Sequence, residues 1–110
     1  MDPVNKTNYL DPNVDYWDEG TKTIDISTDP EIIHLKSDKT GCIFFNTWNL
    51  TSAKTITARL NSINGSTLVT SSSSQYHQIA VPIQSDETIY FRLEGTGTVT
   101  LSYRAIILIW

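Results

Sequence analysis

Hydrophobic and polar residues alternate along most of this chain with a period of two, the repeat of a strand that shows successive side chains to opposite faces. Lys54–Leu60 is the cleanest case: Ile56, Ala58 and Leu60 fall on one face, and Thr55, Thr57 and Arg59 on the other. Over residues 76–83 the pattern groups His77, Ile79, Val81 and Ile83; over residues 87–94 it groups Ile89, Phe91 and Leu93. Strands are also predicted over residues 21–27, with Ile24 and Ile26 together, and over Glu31–Lys36, just after the turn signal Thr28-Asp29-Pro30. Gly41–Trp48 is apolar through Ile43, Phe44 and Phe45, which suits a central strand. A short strand at residues 66–70 and a long one from 98 to 110 complete a set of eight.

The punctuation between these runs is turn chemistry. Asn64-Gly65 predicts a hairpin of the kind whose two central residues need positive φ. Gly95-Thr96-Gly97 predicts a second hairpin, and Ser71–Ser74 a polar loop. Eight short strands separated by Gly, Pro and Asx turns predict an all-β, antiparallel two-sheet sandwich, with the eight strands of a jelly roll. Residues 1–20 break the alternation with Asp2-Pro3, Asp11-Pro12 and several Asn and Asp, and carry Tyr9, Tyr16 and Trp17. They are read as an extended N-terminal arm, leaving the sandwich to residues 21–110.

Length and composition narrow the picture. A chain of 110 residues holds one core, and Thr, Ile and Val outnumber Ala many times over, as a sheet protein requires. The net charge is −4, and the 8 Lys and Arg form no cluster of the sort that tracks a nucleic-acid backbone. No apolar run approaches the length of a membrane-spanning helix. The opening Met-Asp-Pro-Val-Asn-Lys is too polar for a signal peptide, so synthesis in a cytoplasm is expected. The single cysteine, Cys42, excludes an internal disulfide and is expected to be a small buried hydrophobe.

Candidate chemistry is sparse. Asp11-Pro12-Asn13-Val14-Asp15 begins like a calcium loop, but Tyr16 stands where glycine is needed and Lys22 where a bidentate Glu is needed. His34 and His77 lie on separate strands among isoleucines, half a metal site at most, and are expected to be hydrogen-bonded within the core or its flank. No nucleophile elbow is present, and the carboxylate neighbours Asp18-Glu19 and Asp86-Glu87 would point to opposite faces of a strand. No catalytic residue, cofactor or metal site is therefore expected, and the chain is read as not an enzyme.

The ends are more informative than the middle. Ala105, Ile107 and Ile109 can face the core, which forces Ile106, Leu108 and Trp110 outward. An outward row of large apolar side chains must be covered, either by the arm of the same chain or by another subunit. Tyr9, Tyr16, Trp17, Ile106, Leu108 and Trp110 are accordingly the expected interface residues. Deletion of residues 1–20 is expected to abolish assembly and leave a folded domain. A competing reading takes Trp17, Trp48, Tyr76 and Trp110 as a flat aromatic platform of a carbohydrate-binding or lectin-like module, which would be a monomer.

The arm at residues 1–20, the Thr/Ser-rich strands and the run from a hairpin at residues 87–101 into the apolar residues 105–110 resemble the small β-sandwich virion proteins of tailed bacteriophages, of the head-decoration and head-fibre type. The resemblance is architectural and carries no motif. It implies a virion location, a homo-oligomer, often a trimer, and contacts with other virion proteins.

Overall fold

The computed structural model describes residues 14–109 as eight strands: β1 (Val14–Asp25), β2 (Glu31–Lys36), β3 (Gly41–Trp48), β4 (Lys54–Leu60), β5 (Thr67–Ser74), β6 (His77–Ile83), β7 (Thr88–Leu93) and β8 (Thr98–Ile109). They form two four-stranded antiparallel sheets, a first of order β1-β8-β3-β6 and a second of order β2-β7-β4-β5. The pairs β1–β8, β2–β7, β3–β6 and β4–β5 nest inside one another like a long hairpin rolled up on itself. The pairs β3–β8 and β4–β7 close each sheet. This strand order is a jelly roll.

The alternation seen in the sequence becomes burial. Along β6, His77, Ile79, Val81 and Ile83 are buried while Gln78, Ala80 and Pro82 face solvent. Along β8, Val99, Leu101, Tyr103, Ala105 and Ile107 are buried. The two sheets meet where the Phe45 ring of β3 stacks on the Phe91 ring of β7, with centroids 4.1 Å apart. Ile43, Ile89 and Leu93 are fully buried beside them.

Two strand expectations are corrected. The segment 14–20, expected to be arm, is the first half of β1: it pairs from Tyr16–Ile107 to Gly20–Tyr103. Local Asx and Gly density disfavours a strand there, but β8 is long and apolar, and an unpaired β8 edge would leave its backbone groups exposed for misassociation. Residues 71–74, expected to be a loop, belong to β5, because pairing with β4 (Lys54–Ser74, Ile56–Ser71) supplies the backbone bonds that polar side chains alone do not predict.

The turns differ as well. Positive φ falls on Asn61 rather than on Asn64 or Gly65, so the β4–β5 hairpin is closed by a longer loop. In it the Leu60 N–H donates to the Ser66 carbonyl and the Gly65 N–H to the Ser62 carbonyl, each at 3.0 Å. Gly65 is needed for space: a Cβ there would sit 1.9 Å from the Leu60 carbonyl oxygen. Gly95 and Gly97 do have positive φ, yet they join β7 to β8, which lie in different sheets, so that turn crosses the sandwich and is not a hairpin.

Candidate functional site

Residues opposite each other on neighbouring strands share a face, so the strand registers map the outer surface of each sheet. On the first sheet, Trp17 of β1 pairs with Ile106 of β8, Ile106 with Phe44 of β3, and Phe44 with Ala80 of β6. This row crosses all four strands and points away from the core. Beside it runs a second row, Leu108–Cys42–Pro82; Val14, opposite Leu108 beyond a bulge in β1, is buried. Phe44 is 40% exposed, and Trp17, Ile106, Leu108 and Cys42 are half-buried. Burial raises the pKa of the Cys42 thiol.

Moving along the strands, the apolar rows give way to Glu19–Arg104–Asn46–Gln78 and then to Thr21–Ser102–Trp48. Arg104 Nε donates to Glu19 Oε1 at 3.3 Å, and its guanidinium lies over the Trp48 ring, 5.9 Å from the centroid. The face is thus apolar at one end and polar at the other, with few charges.

The outer face of the second sheet has the opposite character. His34 stacks on Tyr90 with centroids 4.9 Å apart and its Nδ1 lies 2.8 Å from Glu31. Glu94 binds the Thr57 hydroxyl at 2.6 Å and lies 3.2 Å from both Arg59 and Arg92. Those arginines also reach the β4–β5 loop, Arg59 donating to the Gly65 carbonyl and Arg92 to the Ile63 carbonyl and to Asn64. The cluster holds a loop in place, and its donors are largely used within the protein.

Of the expected interface residues, Trp17, Ile106 and Leu108 come together on the apolar face. Tyr16 does not: it packs against the core, and its phenol interacts with Asp18. Tyr9 and Trp110 lie outside the described residues. Phe44, Ala80 and Pro82, which are not in the expected set, share this face, and Cys42 is on the outer face rather than in the core. The signal was present in β3, since Cys42-Ile43-Phe44-Phe45 is apolar on both faces just as residues 105–109 are.

The other candidates resolve into structure. His77 is buried; its Nε2 donates to the Lys54 carbonyl at 2.8 Å and its Nδ1 lies 2.7 Å from the Ser71 hydroxyl, so it joins β4, β5 and β6. His34 is on the other sheet's outer face, and the two imidazoles do not converge. Asp15 accepts a hydrogen bond from the Ser37 hydroxyl, while Asp11 and Asn13 of the calcium-like run lie outside the described residues. Among the described residues no group of three or more His, Cys, Asp or Glu is placed to hold a metal ion. An open depression of about 310 Å³ is lined by Lys22, Asp25, Thr28, Asp29 and Glu31. Its Asp25 and Asp29 carboxylates accept from the Ser27 and Glu31 amides and so serve the turn.

At the open edge between the sheets, the Tyr103 hydroxyl donates to Asp18 at 3.1 Å. Burial first, and the Asp18 carboxylate second, push the Tyr103 pKa up to about 12. Lys22 lies over the Tyr103 ring and donates to the Ile32 carbonyl at 2.6 Å, bridging β1 to β2. No helix among the described residues is long and apolar enough to cross a membrane. Compared with known proteins, the chain matches no family model and no curated sequence.

Proposed function

We propose that this chain is a structural assembly protein, a virion component of the capsid-decoration or fibre type, that acts through contacts with copies of itself and with other virion proteins. The observation that carries the reading is the contrast between the two outer faces. One is charged, with Arg59 and Arg92 paired to Glu94; the other carries an apolar stripe, Trp17–Ile106–Phe44–Ala80, across its full width. Apolar surface of this kind on an otherwise polar domain marks an interaction site, because leaving it in water costs roughly 25 cal/mol per Å2. Light scattering tests the reading: a defined oligomer is expected, and a protein that stays monomeric at high concentration would sink it. Because residues 14–20 are half of β1, a shortened chain in this experiment should begin at residue 14 and not at residue 21.

A second reading, a carbohydrate-binding module, is favoured by one feature. Tyr76 is 65% exposed, and continuing the β3–β6 register by one pair sets it opposite Trp48, next to the amides of Asn46 and Gln78. Aromatic rings beside planar amides suit a sugar ring. Binding on a glycan array that is lost in Tyr76→Ala would support it; an array without hits removes it.

A further inference from the structure

We infer that the outer face of the first sheet is a two-fold contact between two copies of this chain, with the axis running along the strands between β8 and β3. The inference rests on the assembly reading and names its partner and geometry. A rotation about that axis keeps each row at its own height and reverses its order, so β8 of one copy lies over β3 of the other.

The rows are complementary to themselves under that operation. In the first, Trp17 falls on Ala80 of the second copy, the largest side chain on one of the smallest, and Ile106 falls on Phe44. In the second, Leu108 meets Cys42. In the polar row, Glu19 meets Gln78 and Arg104 meets Asn46, so each charge faces an amide able to bond it and no like charges meet.

Charge supports a second copy as the occupant. The chain carries a net charge of −4, which opposes association through most of its surface. On this face the charged side chains among the described residues are Glu19, Arg104 and, at the far end, Asp25, and the first two are already paired. Size agrees as well. Four strands at about 4.8 Å spacing, over the length of β3 at about 3.4 Å per residue, project to about 500 Å2. A corrugated face of that size approaches the roughly 800 Å2 of accessible surface that each partner of a stable complex buries. Packing two sheets face to face is also how the domain builds its own core.

The test uses the full chain and three variants. Light scattering should give wild type at twice its 12.4 kDa mass, with Phe44→Glu and Ala80→Arg as monomers. Thr70→Glu, exposed on β5 of the other sheet, should remain a dimer. Circular dichroism confirms that each variant is folded. A readout on unaltered protein guards against variants that fail to fold: Cys42, half-buried in the contact, should react with iodoacetamide about tenfold more slowly where the dimer is populated than after dilution to monomer. A wild-type trimer, or a dimer that survives both face variants, overturns the two-fold contact and leaves the assembly reading standing. A wild-type monomer overturns both, and Cys42 protection that dilution does not change then shows that the chain covers its own face.

Discussion

Tyr103 shows how one side chain ties the fold to pH. It is almost fully buried, hydrogen-bonded to Asp18, and titrates near 12 instead of near 10. A folded-state pKa above the unfolded one means that the group stabilises the fold fully below about pH 10 and loses that contribution as pH rises toward 12. Urea unfolding of Tyr103→Phe should show a loss of about 1 kcal/mol at neutral pH, from the missing hydrogen bond. Between pH 10 and 12 the variant's stability should fall less steeply than wild type, and parallel slopes would refute this role. Phe45 and Phe91 are a simpler case. Either one changed to Ala should cost about 3–5 kcal/mol, because the fully buried ring stack that joins the sheets would leave a cavity.

At the scale of elements, β1 and the β4–β5 loop make the sharpest demands. A chain beginning at residue 21 loses the Val14–Leu108 pair and the five pairs from Tyr16–Ile107 to Gly20–Tyr103, keeps those from Thr21 onward, and uncovers the edge of the apolar half of β8. Its melting temperature should drop well below that of a chain beginning at residue 14, and equal values would mean that β1 contributes nothing there. Gly65→Ala should destabilise by more than about 1 kcal/mol in chemical denaturation. The added methyl meets a backbone oxygen, which moves only if the loop rearranges. The bounds of β2, β3 and β4 are legible in the sequence because alternation and flanking turn residues agree there. The start of β1 and the serine half of β5 are not, since both are edge segments whose strand state comes from a neighbour's backbone and not from their own apolar pattern.

For the whole molecule, the decisive property is the asymmetry between an apolar, nearly uncharged outer face and a charged one. An interface made from the first face depends little on long-range charge, which salt screens over about 8 Å at physiological ionic strength. The oligomer measured by light scattering should therefore keep its mass from low salt to 1 M NaCl. Dissociation in high salt would point to the charged face, where Glu31, Lys36, Arg59 and Arg92 lie.

By itself the sequence determined that this chain is a sandwich of about eight strands and which side chains fill it, because side-chain alternation and turn chemistry are local properties of the backbone. It also showed that the last strand is apolar on both faces. Which strands neighbour one another was decided only by tertiary structure, since pairing depends on long-range register that no local pattern encodes. That pairing draws residues 14–20 into the first sheet and aligns Phe44 and Ala80, from strands far apart in the chain, with Trp17 and Ile106. The outward apolar side chains of the C-terminal strand thereby become one continuous stripe across four strands.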